Sequence, residues 1–458
     1  MAGPYRELDP DATERVSISG LPAPLGIARN AKGVLTASGR PILDLLTAAA
    51  TGTPAYVYDL DAIGHSARGI VDALGRSGLC AYAIKANGAA PIVGRLLHEG
   101  CGIDCVSGGE LRVALACGAR PQSIVYSGVA KRDDELDLAI ATGIRGIHVE
   151  SVEEIERIAA RARAGGRTGV PIAMRINPAI EVDTHAHIAT GHDEAKFGIA
   201  RDDVPRALEA VRLAGNHVRL VGLAVHIGSQ NFQVEPYLAG LRVLCDFART
   251  MRGRGIALQY LDAGGGFGVP YQDDQKAIPP AAFIHAALSE LHARRLDDLS
   301  LLIEPGRALV AAHSVLVARV IQPKRSMAGG QERRWLLIDA GMNDLIRPAL
   351  YQAYHRIEPL MLDSKDTVQS WRVAGPICES SDDFGTHPLP DPPPSLVAIR
   401  DVGAYGRSMA SAYNARPLAA EVFVSGAEVI AVRFARPIEE VVAEEMGAAT
   451  GSVDRGRG

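Results

Sequence analysis

The chain has 458 residues, 47% of them hydrophobic and 22% charged, and its mean hydropathy is close to zero. That length favours two domains, and the composition excludes collagen-like, mucin-like, coiled-coil and wholly disordered chains. A formal net charge of -5 without any stripe of Lys and Arg argues against a nucleic-acid partner, and no apolar run reaches the roughly 18 residues of a membrane-spanning helix.

In chain order, Met1 to Pro10 has neither the basic head nor the apolar stretch of a secretion signal, so a cytoplasmic protein is expected. Residues 1–59 carry short apolar runs and turn signals that are expected to add a strand or two to a β domain. Short β-branched runs then recur at Tyr82 to Lys85, Ile103 to Val106, Ile124 to Tyr126, Gly146 to Val149, Ile172 to Ile176, Val221 to His226, Tyr260 to Asp262 and Leu301 to Glu304. Between them the apolar residues take helical spacing, as in Pro91 to His98, Leu111 to Cys117, Asp133 to Ala141, Val152 to Ala164, Val204 to Leu213 and Pro236 to Met251. Apolar strands alternating with helices call for a parallel sheet covered on both faces, and eight such units predict a closed (β/α)8 barrel over residues 60–308.

Beyond the barrel, residues 309–445 read as mainly β, with strands at Ser314 to Ile321, Trp335 to Asp339 and Leu396 to Asp401. A hairpin around Ser425-Gly426 joins Val422 to Val424 and Val429 to Phe434. The five prolines of His387 to Pro394 predict an exposed loop, and residues 446–458 a flexible tail. The cysteines Cys80, Cys101, Cys105, Cys117, Cys245 and Cys378 form no C-x-x-C pair and are expected as reduced thiols.

Barrels keep their chemistry at the carboxyl ends of the strands, where the βα loops converge. Those ends carry Lys85, Asp104, Arg175, His226 with Ser229, the run Gly264, Gly265, Gly266, and Glu304 with Arg307 beyond. A lysine closing an apolar strand is partly desolvated and becomes an amine nucleophile, unless it snorkels to solvent. The run G-G-G-F-G (Gly264 to Gly268) has neither dinucleotide-fold nor P-loop spacing, yet it follows strand seven, where barrels place backbone N–H groups around a phosphate. Lysine, phosphate cradle, carboxylate and histidine together are what a pyridoxal phosphate site requires. His185, His187 and His192 include an H-x-H spacing without a fourth ligand nearby, so no metal site is expected.

Eight ordered motifs resemble the alanine racemase-like class of pyridoxal phosphate enzymes, and within it the diaminopimelate decarboxylase family. They are Y-A-I-K-A-N (Tyr82 to Asn87), D-C-V-S-G-G-E-L (Asp104 to Leu111), H-I-G-S-Q (His226 to Gln230), G-G-G-F-G and E-P-G-R (Glu304 to Arg307). D-A-G-M-N-D-L-I-R-P-A-L-Y (Asp339 to Tyr351), G-P-I-C-E-S (Gly375 to Ser380) and G-A-Y-G-R-S-M-A-S-A-Y-N (Gly403 to Asn414) complete the set.

The resemblance implies decarboxylation of meso-2,6-diaminopimelate to L-lysine, the last step of lysine synthesis. It implies that Lys85 holds the cofactor as a Schiff base, that His226 stacks on its ring and that Glu304 pairs with the pyridine nitrogen. Ser229, Gly264, Gly265, Gly266, Gly306 and the backbone at Arg307 would hold the phosphate, with Tyr405 closing over it. Arg307, Arg347, Tyr351 and Tyr405 would bind substrate. Cys378 as proton donor and Glu379 as reader of the distal ammonium would come from a partner subunit, which implies a homodimer with shared sites.

The chemistry agrees with these roles. A carboxylate beside the pyridine nitrogen keeps the electron sink protonated, and a thiol of ordinary pKa, about 8.5, is still protonated at neutral pH and can donate. Guanidinium forks suit a distal carboxylate. Ornithine, lysine, arginine or a carrier-linked amino acid as substrate would leave Arg347 without a purpose, and a non-catalytic pyridoxal phosphate carrier would lack the β domain. One position departs from the family, which commonly has glycine where this chain has Ser381; a glycine there would permit positive φ.

Overall fold

Short apolar strands buried on both faces must pair along both edges, and closure into a barrel leaves no edge unpaired. The computed structural model describes residues 6–7, 26–76, 78–180, 196–272 and 274–450; His185, His187 and His192 lie outside them. It divides into two units, Ala62–Ala312 and a second made of Met1–Asp61 with His313–Gly458.

The first unit contains a closed barrel of eight parallel strands. In order they are Leu79–Ala83, Gly102–Cys105, Ile124–Tyr126, Gly146–Val149, Val170–Arg175, Val218–Ala224, Tyr260–Asp262 and Ser300–Ile303. The eighth closes on the first through Leu302 opposite Leu79 and Ile303 opposite Cys80. Ala81, Val125, Ala173, Val221, Tyr260 and Leu302 fill the interior. Tyr260 fits because its neighbours are small: a Cβ on Gly222 would lie 2.6 Å from its ring, and one on Gly146 would lie 2.4 Å from its hydroxyl.

Turns at the mouth are fixed by serine caps. Ser107 Oγ accepts from the Glu110 N–H and Ser151 Oγ from the Glu154 N–H, both at 3.1 Å, while each glutamate reaches back to the N–H of Val106 or Glu150. Each cap is worth about 1 kcal/mol and sets where its helix begins, hence where the preceding strand end points.

In the second unit Ala55–Asp59 lies parallel to Ala420–Ser425 and antiparallel to Ser314–Ala328, inside a ten-stranded sheet. The N-terminal segment contributes further: Arg6–Glu7 pairs with Glu428–Arg433, and Ile27–Arg29, Leu35–Ala37 and Arg40–Pro41 form a separate small sheet. Val57, Val315, Val317, Val422 and Val424 share one core with Leu35, Ile42 and Leu45.

The proline-rich stretch corrects the expected loop. His387 to Pro390 belongs to the strand Asp383–Pro390, which among the described residues pairs only with Val368–Ala374, at the end of the sheet order. An edge strand has one unpaired side, so residues lacking an N–H are tolerated there. Ser314–Ala328 and Gln331–Ile338 also form a longer hairpin than expected, because polar residues such as Gln322, Lys324 and Arg333 hide the alternation. The helix Ile438–Thr450 runs into the stretch expected as a tail.

Around the glycine run, Phe267 packs between Tyr237 and Phe283, with ring centroids 5.7 and 5.2 Å away, and Tyr237 meets Phe283 at 5.5 Å. Truncating the fully buried Phe283 to Ala should cost about 3–5 kcal/mol in urea unfolding. A loss below about 1 kcal/mol would show that this triad does not anchor the loop.

Candidate active site

The first barrel strand ends at Ala83, and Lys85 sits two residues on, in a short 3-10 turn over Ile84–Ala86. The turn lifts Lys85 off the strand, leaving its side chain 40% exposed with the ammonium 3.6 Å from the wholly buried Asp104 carboxylate. Burial pushes Asp104 up in pKa while Lys85 pulls it down. Glu110 is engaged in the turn at Val106, and Arg175 donates to Glu150 at 2.7 Å.

His226 lies two residues beyond the sixth strand and accepts at Nδ1 from the Gly265 N–H at 3.3 Å. Burial, then Arg175 and Lys85, hold it well below the usual histidine range, so it is neutral. The glycine loop lies against its neighbours too closely for side chains. A Cβ on Gly264, Gly265 or Gly266 would come within 2.5, 2.0 and 2.1 Å of the carbonyl oxygens of Val225, Glu304 and Gly228, and Gly264 and Gly266 have positive φ.

Ser229 and Arg307 meet in this neighbourhood. Arg307 is buried and donates to Ser229 Oγ at 3.1 Å and to the Tyr271 hydroxyl at 2.9 Å. Gly306 precedes it in a close approach, with room of 3.1 Å to the Ala86 methyl for any Cβ.

Glu304 follows the eighth strand and is largely buried. Burial first, then the charges of Asp104 and Asp262, raise its pKa well above the carboxylate range. Asp262 itself is pushed up to about 7, mainly by burial. His148 stands between Asp262 and Glu304, at 4.0 and 3.7 Å. Donor atoms of the three lie within 4.8 Å of one another, and burial first, then Lys131 and Arg175, hold the His148 pKa down.

Ser127, His148, Glu150, Asp262 and Tyr271 escaped the sequence reading. The available signal for two of them was a polar residue inside an apolar barrel strand, G-I-H-V and Y-L-D.

The second unit collects the remaining candidates. Arg347 opens the helix Arg347–Tyr351, is 5% exposed, and donates to His355 Nε2 at 2.8 Å; His355 Nδ1 in turn meets the Arg400 carbonyl at 2.9 Å. Cys378 and Glu379 are exposed, and Glu379 accepts from the Tyr413 hydroxyl at 2.7 Å. The buried Asp382 joins two motifs by accepting from the Met342 N–H at 2.7 Å and the Ile377 N–H at 2.6 Å. Ser381 stays out of the left-handed region, so a serine fits there without strain. Tyr405 adopts it, with φ 58°, a conformation rare outside glycine and associated with functional sites.

A barrel mouth with an amine over a buried carboxylate, a glycine loop without room for side chains, a neutral histidine and a proton-holding carboxyl fits pyridoxal phosphate. The fold and site therefore define a barrel-type pyridoxal phosphate enzyme. Residues 60–311 match the family model "Pyridoxal-dependent decarboxylase, pyridoxal binding domain".

Similar proteins include the diaminopimelate decarboxylases of Pseudomonas aeruginosa, 40% identical over 86% of this chain and 93% of the relative, and of Zymomonas mobilis, 38% identical over 90% and 97%. The crystal structure of diaminopimelate decarboxylase from Helicobacter pylori complexed with L-lysine superposes with a TM-score of 0.82 at 34% identity, covering 89% of this chain and all of that one. The chain belongs to the diaminopimelate decarboxylase family of pyridoxal-dependent decarboxylases.

Asp344, in the motif that leads to Arg347, is buried and accepts from the Gly341 N–H at 3.1 Å. Burial pushes its pKa up to about 7. The folded state therefore holds a proton that the unfolded chain releases near pH 4, so stability falls as pH rises from about 4 to about 7. Asp344→Asn, which keeps the acceptor and cannot ionise, should stabilise the protein more at pH 8 than at pH 5 in thermal unfolding. An equal effect at both would show that Asp344 does not carry this linkage.

Proposed function

We infer that this chain decarboxylates meso-2,6-diaminopimelate to L-lysine and carbon dioxide with pyridoxal phosphate as cofactor. The reading is carried by the presence, in one chain, of the Lys85 and Glu304 mouth together with the Arg347 and Glu379 motifs suited to a substrate bearing charge at its far end.

When bound, pyridoxal phosphate supplies the electron sink for the pair left as carbon dioxide departs. Lys85 is the amine that holds the cofactor, and its neighbour Asp104 keeps that amine directed at the mouth. Ser229, Gly264, Gly265, Gly266, Gly306 and the backbone at Arg307 cradle the phosphate. His226, kept neutral by burial, offers a flat uncharged face to the ring. Glu304 contributes the proton that keeps the pyridine nitrogen charged, and the proximity of Asp104 and Asp262 gives it a proton to share.

Arg347 and Tyr351 read the distal carboxylate, with the Arg347 guanidinium aimed by His355. Arg307, already turned toward Ser229, is a substrate-binding residue of the barrel unit, and Tyr405, with its left-handed backbone, is one of the second unit. Glu379, held by Tyr413, reads the distal ammonium, and Cys378 returns a proton to the α-carbon. Both Cys378 and Glu379 stand exposed on the surface of their unit, as groups offered to a partner would. The enzyme accordingly works as a cytoplasmic homodimer in which each site draws Cys378 and Glu379 from the other subunit.

Purified protein incubated with pyridoxal phosphate and meso-2,6-diaminopimelate should release lysine, detected by mass spectrometry. Product from ornithine, lysine or arginine instead would keep the cofactor and overturn the roles of Arg347 and Glu379. Lys85→Ala should abolish the cofactor's Schiff-base absorbance. Mixing inactive Lys85→Ala and Cys378→Ala chains should restore about a quarter of wild-type activity, since half of randomly mixed dimers carry one intact site of two. No restoration after subunit exchange would place both residues of a site on one chain.

A further inference from the structure

Beneath Glu304 runs a hydrogen-bonded chain that the proposed roles leave unassigned. The Tyr260 hydroxyl lies 3.1 Å from His148 Nε2, His148 Nδ1 lies 3.2 Å from Ser127 Oγ, and Ser127 Oγ lies 3.2 Å from Glu304 Oε1. Tyr260, His148 and Ser127 are buried, on or next to strands seven, four and three of the barrel. We propose that Ser127 and His148 are positioning residues for Glu304, their hydrogen bonds running toward it when its carboxylate is ionised and away from it when it carries a proton, with His148 changing tautomer between the two states. The inference rests on the role of Glu304 as partner of the cofactor's ring nitrogen.

The argument is one of donor counting. The Ser127 hydroxyl has one proton and equal reach to Glu304 Oε1 and His148 Nδ1, with the Asp104 carboxylate a further acceptor beside it, so it serves one of them at a time. Donation to an ionised Glu304 requires Nδ1 to carry the imidazole proton and give it to Ser127 Oγ, while Nε2 accepts from Tyr260. Donation to Nδ1 requires the proton on Nε2, facing the Tyr260 oxygen and, at 4.0 Å, Asp262, and Glu304 then meets Ser127 as a donor when its proton sits on Oε1 rather than on the oxygen that bonds Asp262.

Both arrangements need a neutral imidazole. Burial, with Lys131 and Arg175, pushes the His148 pKa down to about 3. Lys131 is fixed in place by the His148 carbonyl at 2.7 Å and by Glu154 at 2.9 Å. Further charges face the chain: Asp262 beside Nε2, Asp104, which acts on both Asp262 and Glu304, Lys85, which acts on Glu304, and Arg145, 5.2 Å from the Tyr260 ring centroid.

Without cofactor, Glu304 holds its proton, and with that proton on Oε1, toward Ser127, the Nε2–H tautomer is selected. Once Glu304 has given that proton up it is an acceptor, and Nδ1–H is selected. The chain keeps its proton count across the change: Ser127 and Tyr260 hold one proton each and reorient, His148 gives up its Nε2 proton and takes one at Nδ1 by exchange with water, and the proton leaving Glu304 would go to the cofactor's ring nitrogen. Ser127 then gives the ionised Glu304 a charge-assisted hydrogen bond, which keeps the carboxylate aimed at the nitrogen.

Wild-type protein labelled with 15N-histidine would be compared by NMR with and without pyridoxal 5'-phosphate, the His148 signals being assigned by their loss in His148→Gln. A change from the Nε2–H to the Nδ1–H pattern on adding cofactor is expected, and one tautomer in both states would overturn the proposal. In a second experiment, Ser127→Ala loaded with ring-15N cofactor should shift the ring nitrogen toward its unprotonated position and lower kcat about tenfold with KM within about twofold. Ser127→Thr, which keeps the hydroxyl, should restore both. An Ala variant with wild-type resonance and kcat would overturn the proposal. Failure of the wild-type chain to bind pyridoxal phosphate or release lysine would appear before any variant is compared, and would overturn the functional reading with this inference on it.

Discussion

Asp104, Asp262 and Glu304 are buried at one end of one barrel, and three carboxylates cannot all be ionised so close together away from water. Their neighbours answer this in separate ways. Lys85 supplies an opposite charge to Asp104, the Gly264 N–H donates to Asp262 at 2.8 Å, and Glu304 keeps its proton. The electrostatic strain is thus resolved into one paired group, one hydrogen-bonded group and one proton donor. In the role proposed for Glu304, that third group would give its proton to the pyridine nitrogen and stay beside it as the carboxylate.

Packing holds the cluster in place. The glycine loop passes so near the carbonyls of Val225, Gly228 and Glu304 that no side chain is admitted, and this contact ties the loops after strands six, seven and eight together. Phe267, the single large residue in the run, turns the other way into the aromatic group with Tyr237 and Phe283, so hydrophobic burial fixes a loop whose glycines would otherwise leave it loose. In the second unit Asp382 does the comparable task with charge, both of its oxygens accepting backbone N–H groups from different motifs. Asparagine could serve only one of them.

The barrel was legible because its strands are short, apolar and regularly spaced; Ile124–Tyr126, Gly146–Val149 and Tyr260–Asp262 have the limits their sequences predict. Strand ends were less so. Lys85 and His226 each lie two residues past their strands, since β-branched runs carry no mark for the residue at which pairing stops. The second unit hid its longest hairpin behind solvated polar side chains, and its edge strand behind prolines that only an edge can accept. Lys85, His226, Ser229, the glycine run, Glu304 and Arg307 were readable as residue types at barrel strand ends. Ser127 and Glu150 were not, because a lone serine or glutamate after a strand is indistinguishable from a turn residue until the partner from another strand is known.

His148 and Asp262 show what the missing signal looks like. Each is buried within an apolar strand, where an unpaired polar group costs a few kcal/mol; His148 meets the Tyr260 hydroxyl of another strand, while Asp262 accepts from the Gly264 N–H just beyond its own. The cross-strand partners are distant in sequence: Tyr260 lies 112 residues from His148, and Ser127 lies 177 residues from Glu304. A polar residue within a buried strand thus implies a contact that the local sequence cannot name. Where such residues fall on different strands of one barrel, each is a candidate partner for the others, as the Tyr260 hydroxyl is for His148.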